Sequence, residues 1–193
     1  MKTRLTLTLI FCIIMTSQAQ DQKLPYYEIP DYPEEYNECT VVARMIDGLG
    51  FRYYWATEGL NEKDLAYKPS ESGRSTDETL DHILGLSDFI FKTCLKQPVT
   101  AREDVELSFE EKRARTLNNL RTAADIMRSS TDLSLYTIQF NRDGNTTEFP
   151  FWNNINGPIA DALWHCGQVV VLRRASGNPF NSKASVFTGK VRE

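Results

Sequence analysis

The chain has 193 residues, with 26 acidic against 22 basic side chains, 41% hydrophobic and 25% charged, the profile of one globular domain rather than of a disordered or fibrous chain. A formal net charge of −4, with no block of five or more lysines and arginines, argues against a protein that holds nucleic acid or an anionic membrane by charge. Only two histidines occur, His82 and His165, so any site that needs imidazole must draw on this pair.

At the start of the chain, Lys2 and Arg4 precede an apolar run from Leu5 to Met15, and Ser17-Gln18-Ala19 follows with small residues. This is the pattern of an export signal over residues 1–19, too short to span a bilayer. The expected product is exported, periplasmic or secreted, and holds no membrane after cleavage. Loss of Lys2 and Arg4 takes the formal charge from −4 to −6. Cys12 leaves with the signal, and Leu9-Ile10-Phe11 before it lack the small residues that precede a lipidated cysteine. Three cysteines then remain, Cys39, Cys94 and Cys166, and three cannot all pair within one chain.

Residues 20–38 interleave Pro25, Pro30 and Pro33 with Tyr26, Tyr27, Tyr32 and Tyr36, which blocks a helix but offers rings for packing; an extended arm is expected. The main domain is expected over 39–180. Its first helix runs from Cys39 to Gly59, with Val42, Met45, Leu49, Tyr53 and Ala56 recurring at three and four. Ser75-Thr76-Asp77-Glu78 is a capping box, opening a second helix that carries Leu80, Ile83, Leu84 and Phe91 on one face to about Gln97. Ser108 and Glu111 open a third in the same way, with Leu117, Leu120, Ala124 and Met127, ending near Ser129.

Two β-prone runs, Leu135 to Phe140 and Thr146 to Phe151, flank Asp143-Gly144 and predict a hairpin. Gly157-Pro158 then starts a fourth helix, with proline where its missing N–H costs nothing, and Gly177-Asn178-Pro179 stops it. The tail, 181–193, is polar and expected to be flexible. Four helices of about 27 to 33 Å at 1.5 Å per residue, each with one apolar face, predict an all-α protein: a four-helix bundle with a small β-hairpin between helices three and four. That layout puts Cys39 and Cys94 at one end of the bundle, where they either form a disulfide or remain two buried thiols.

His82 lies seven residues past Ser75, and His165 seven past Pro158, each about 10 Å down its helix. An up-down-up-down path makes these two helices parallel, so both imidazoles sit at one level. Asp161, one turn before His165, lies on the same face. Two histidines and one carboxylate with an open position suit catalytic zinc or non-haem iron. The alternative leaves His82 a partly exposed helix residue, His165 a packed core histidine beside Trp164, and Asp161 a first-turn charge favoured by the helix dipole.

Several stretches then carry a resemblance. Trp55-Ala56-Thr57-Glu58-Gly59-Leu60, Leu65-Ala66-Tyr67-Lys68-Pro69, Gly73-Arg74-Ser75, Glu78-Thr79-Leu80, His82, and, far downstream, His165-Cys166-Gly167-Gln168 with Arg173-Arg174 resemble the DinB-like superfamily of four-helix-bundle proteins regarded as metalloenzymes. The resemblance covers about Asp47 to Pro179. It implies a divalent ion held by one histidine of the second helix and a His-x-x-x-His pair of the last, so that His82 and His165 match as ligands. Asp161 stands where the family usually has its other histidine. This departure bears on the ion's identity (zinc, nickel, iron or manganese) more than on its presence, because a carboxylate is a competent ligand whose charge lessens the ion's pull on a bound water or thiol. Similar proteins include transferases and isomerases that use low-molecular-weight thiols, which implies a small-molecule substrate and a thiol as a second cofactor.

Weaker candidates surround this set. Glu78 is one turn before His82 and could be a fourth ligand, but its capping role explains it as well. Cys166 points about 100° around the helix from His165, which suits a core thiol better than a nucleophile. Gln168 could orient His165 or bond to a neighbouring helix. Asn145-Thr146-Thr147 fits a glycosylation sequon. No Gly-rich phosphate loop, Cys-x-x-Cys or Gly-x-Ser-x-Gly is present. The expectation is a metal-dependent hydrolase or thiol S-transferase, compatible with a homodimer; its rival is a bundle that binds or supports without a metal.

Overall fold

In the computed structural model, residues 23–100, 105–142 and 144–193 are described; the expected signal peptide lies outside them. Four long helices carry the architecture: α1 (Glu38–Thr57), α3 (Thr76–Cys94), α4 (Phe109–Arg128) and α6 (Ala160–Ser176), with a short α2 (Glu62–Ala66) after the first. The first three long helices begin at capping boxes. Asn37, Ser75 and Ser108 each accept from the third helical N–H, while Thr40, Glu78 and Glu111 bond back to the cap, so orphan amides at each start are satisfied reciprocally.

Both α4 and α6 pack against α1 and α3, and the shared interior is apolar. Ile46, Leu49 and Tyr53 from α1, Leu80 and Ile83 from α3, Leu117, Leu120 and Met127 from α4, and Cys166 and Val169 from α6 are all buried in one cluster. Leu49, Tyr53, Leu80, Ile83, Leu117, Leu120 and Met127 are among the positions whose three-and-four spacing predicted the first three helices, and each large side chain contributes about 1.5–3 kcal/mol by leaving water. Polar locks bind the same helices together. Lys112, 6% exposed, donates to Asp77 at 2.9 Å and Asp81 at 3.1 Å, joining α4 to α3. Asn119 donates to Ser87 at 3.1 Å and Asp88 at 2.8 Å.

The predicted hairpin forms as β1 (Thr137–Arg142) and β2 (Asn145–Pro150), antiparallel with Arg142 opposite Asn145. Gly144 has φ +78°, the left-handed conformation a two-residue turn requires. Asn145 opens β2 and is exposed, so the sequon lies on the surface. The chain is thus mostly helical with one small hairpin between α4 and α6; none of the described helices is long and apolar enough to cross a membrane.

Two expectations are corrected and one element is added. First, the last helix does not start at Pro158. Helical structure begins at α5 (Trp152–Asn154) and passes through a π-helical turn, Ile155–Ile159, into α6. Pro158 cannot donate an amide N–H, and the i→i+5 pattern accommodates that gap without ending the helix. Second, α2 (Glu62–Ala66) is an added element: the Asn61 side chain caps Lys63 and Asp64 while Asp64 bonds back to Asn61, a small capping box directly after the first helix. Third, the tail is paired rather than loose. Two short strands, β3 (Ala184–Ser185) and β4 (Lys190–Val191), form a second hairpin, and Ile29 N–H donates to Gly189 C=O at 3.0 Å. The arm and the tail therefore hold each other, a long-range pairing that local composition does not signal.

The arm lies along α1 without helix. Trp55 Nε1 donates to Tyr27 C=O at 3.1 Å and Arg44 to Pro30 C=O at 2.7 Å, and Tyr26 is buried. A Cβ at position 50 would stand 2.4 Å from the Tyr26 ring, so only glycine lets the ring seat there. Cys39, Cys94 and Cys166 are free and buried. Burial pushes the Cys94 and Cys166 thiols up to about 12, which keeps them protonated and unreactive.

Candidate metal centre

Capping sets the depth of His82: with Ser75 fixed as the start of α3, the imidazole falls two turns inside, between the buried Leu80 and Ile83 and facing α6. From the other side, Asp161 and His165 stand one turn apart on α6, immediately after the π-helical turn. The rings of His82 and His165 have centroids 4.5 Å apart at an interplanar angle of 87°. Ligand atoms of His82, Asp161 and His165 all lie within 4.8 Å of one another. All three residues read from the sequence are therefore in one place, 79 positions apart along the chain at the closest contact.

Asp161 sits between the imidazoles. Its Oδ2 is 3.0 Å from His82 Nε2 and its Oδ1 is 3.3 Å from His165 Nε2. Donors around a tetrahedral ion with bonds of ~2.1 Å stand roughly 3.4 Å apart, so these separations already approach those of a coordination shell. The His165 side chain is 12% exposed, while those of His82 and Asp161 are 33% and 35% exposed. One side of the cluster is thus protein and the other is open to a small molecule.

Gln168 decides the tautomer. Its Oε1 is 2.7 Å from His165 Nδ1, and an amide oxygen can only accept, so in this orientation of the amide the ring proton is on Nδ1. Nε2 then carries a lone pair that faces a carboxylate oxygen at 3.3 Å. Two acceptors this close need a positive charge between them, either an added proton or a metal ion. Orientation of a ligating histidine through its other nitrogen is the usual support of a metal site, and it resolves the two roles left open for Gln168.

The remaining candidates fall away from the centre. Glu78 accepts from Ser75 N–H at 2.6 Å and pairs with Lys68 at 3.1 Å; these contacts, the Ser75 bond first, hold its carboxyl below the usual range and leave it a capping residue. Cys166 turns into the core. Beside His165 and Gln168 opens a cleft of about 630 Å³. Sequence reasoning missed this cleft and the part of Arg74 in its wall, because the loop that carries Arg74 has no periodicity and meets α6 only in the folded chain. The described cluster could hold a metal ion; which metal its donors alone do not distinguish. Comparison with family models, with curated proteins and with solved structures finds no match to this chain.

Proposed function

We propose that the protein is an exported metalloenzyme of DinB-like type, a four-helix bundle in which His82, Asp161 and His165 hold one divalent cation. The observation that carries this is the lone-pair face of His165 Nε2 set against Asp161 while Gln168 occupies its other nitrogen. Two neutral imidazoles and one carboxylate would leave a divalent ion held there a net positive charge. Such an ion would supply Lewis acidity, the chemistry that activates a water or a low-molecular-weight thiol toward an electrophilic small molecule. The chain's own residues do the rest: Gln168 keeps His165 in one tautomer, the core behind His165 excludes water from one side, and the cleft admits substrate from the other.

Support for this reading comes from the donor set, its geometry and the motif resemblance, which includes His82, His165 and the Gly167-Gln168 pair. Anomalous diffraction from crystals soaked in zinc, nickel, iron or manganese tests it. The expected result is one peak within bonding distance of His82 Nε2, His165 Nε2 and Asp161, together with chelator-sensitive turnover in a panel of hydrolase and thiol-transfer substrates. No peak at those atoms with any of the four ions would leave the rival, a bundle without a functional metal.

A further inference from the structure

The wall of the cleft next to His165 has a composition that specifies a ligand. Pro69, Trp164, Val171 and Leu172 make it largely apolar, Arg74 is the one full charge in its lining, and no aspartate or glutamate lines it. Trp164 and Val171 are 71% and 62% exposed, an unusual outlay of large apolar surface on the solvent side of a helix that also carries His165. Among the described residues Arg74 makes no hydrogen bond or ion pair, although most arginines of this fold do, as Arg113, Arg115, Arg128 and Arg173 illustrate.

Gly167 adds an independent observation. It lies inside α6, where glycine disfavours the helix relative to alanine, yet nothing stands within 4 Å of where its Cβ would be. Packing does not require a glycine there. Gly85 on α3 is equally open, so openness alone marks no site; at Gly167 the missing side chain is missing from the cleft wall. Any larger residue would project into the space between Trp164 and Val171.

We infer that this cleft binds a small organic anion with an apolar body, the apolar part lying across Gly167 between Trp164 and Val171 and the acidic group meeting Arg74. The inference rests on the metal-centre reading only for which end of the ligand would react; the binding itself needs no ion. Charge complementarity and shape divide the work. Arg74 selects the anion, and the gap at Gly167 sets the width of what can lie beside α6.

Calorimetric titration with 4-phenylbutyrate and its neutral counterpart 4-phenylbutanol tests this, on EDTA-stripped and on zinc-supplemented protein. In the stripped protein, 4-phenylbutyrate is expected to saturate in the millimolar range. Arg74→Gln weakens it about fivefold, the scale of one exposed ion pair, and leaves 4-phenylbutanol unchanged. Gly167→Val weakens both at least about tenfold by filling the gap; circular dichroism and the urea midpoint show that each variant is folded. Absence of saturable binding, equal loss of both probes in Arg74→Gln, or wild-type binding by Gly167→Val overturns the inference. If zinc alone confers binding of the carboxylate, and His82→Ala but not Arg74→Gln removes it, the cleft proposal fails while the metal centre stands. If the Arg74 dependence is present and the protein takes up no zinc, the cleft stands and the metal reading fails.

Discussion

Two polar clusters on α6, eight residues apart in sequence, show how a structural network differs from a site. At the far end of the helix, Arg173 is 3% exposed and spends its guanidinium on carbonyls: Trp55 and Ala56 at 3.0 Å, Glu58 at 3.0 Å and Asn178 at 2.9 Å. Of these, the Trp55, Ala56 and Glu58 carbonyls are orphan acceptors at the end of α1, which a cation caps well. Asp64 beside it accepts from Asn178 at 2.6 Å, from Ser176 and from Asn61 N–H at 3.0 Å. Every group there is answered from within the protein. At His165 the Asp161 carboxylate instead meets two imidazoles that need a shared positive charge, a proton or a metal ion, and one side stays open. A closed network fixes helices, and an open one invites a ligand.

Breaking the closed cluster should have the largest effect on folding. Arg173→Ala leaves several buried carbonyls unanswered and is expected to cost about 3 kcal/mol, read as a shifted urea midpoint, with the metal affinity of the folded fraction unchanged. His82→Ala or Asp161→Ala should do the reverse: at least a ~100-fold loss of metal affinity from removing one of three protein ligands, with unfolding of the metal-free protein altered by less than ~1 kcal/mol because both side chains are a third exposed. A smaller change is expected from Gln168→Ala, about tenfold in metal affinity and none in stability, measured by competition with a chromogenic chelator.

The pH response sharpens the same contrast. Burial works to raise the Asp64 carboxyl, but hydrogen bonds from Asn178, Ser176 and Asn61 N–H outweigh it and leave it lowered. The folded state therefore holds this proton less tightly than the unfolded chain. Its contribution is fully present above the unfolded value of about 3.9 and is lost as pH falls through the lower folded value. Urea midpoints recorded from pH 5 to 2 should fall for the wild type and fall less steeply for Asp64→Asn. The smallest effect is a null one: iodoacetamide should leave Cys94 and Cys166 unmodified in the folded protein and label both in urea, as peptide mass mapping reads.

How much of this was legible in the chain depends on range. Capping boxes at Ser75 and Ser108 and the three-and-four spacing of Leu80, Ile83, Leu117 and Leu120 are local signals, and they placed two of the long helices to within a few residues. Because Ser75 sets the register of α3, the depth of His82 followed; the matching depth counted for His165 from Pro158 did not, since the helical run starts at Trp152, and the three residues meet although that half of the count was wrong. The π-helical turn was not legible, since proline after glycine reads as a helix start when the helical run before it, Trp152 to Ile155, is too short to show a period. The tail hairpin was hidden for a different reason. Its partner is Ile29, on the opposite end of the chain, and polar tail residues alone carry no trace of that contact. Arg74 escaped for the same cause.

The most direct measurement is metal content of untagged protein after equilibrium dialysis against zinc, nickel, iron and manganese in turn, for the native chain, His82→Ala and Asp161→Ala. Close to one equivalent of at least one ion is expected in the native protein and near-complete loss in both variants, with folding intact. Equal metal in all three, or none in the native chain at saturating concentrations of all four ions, would contradict the metal-centre reading.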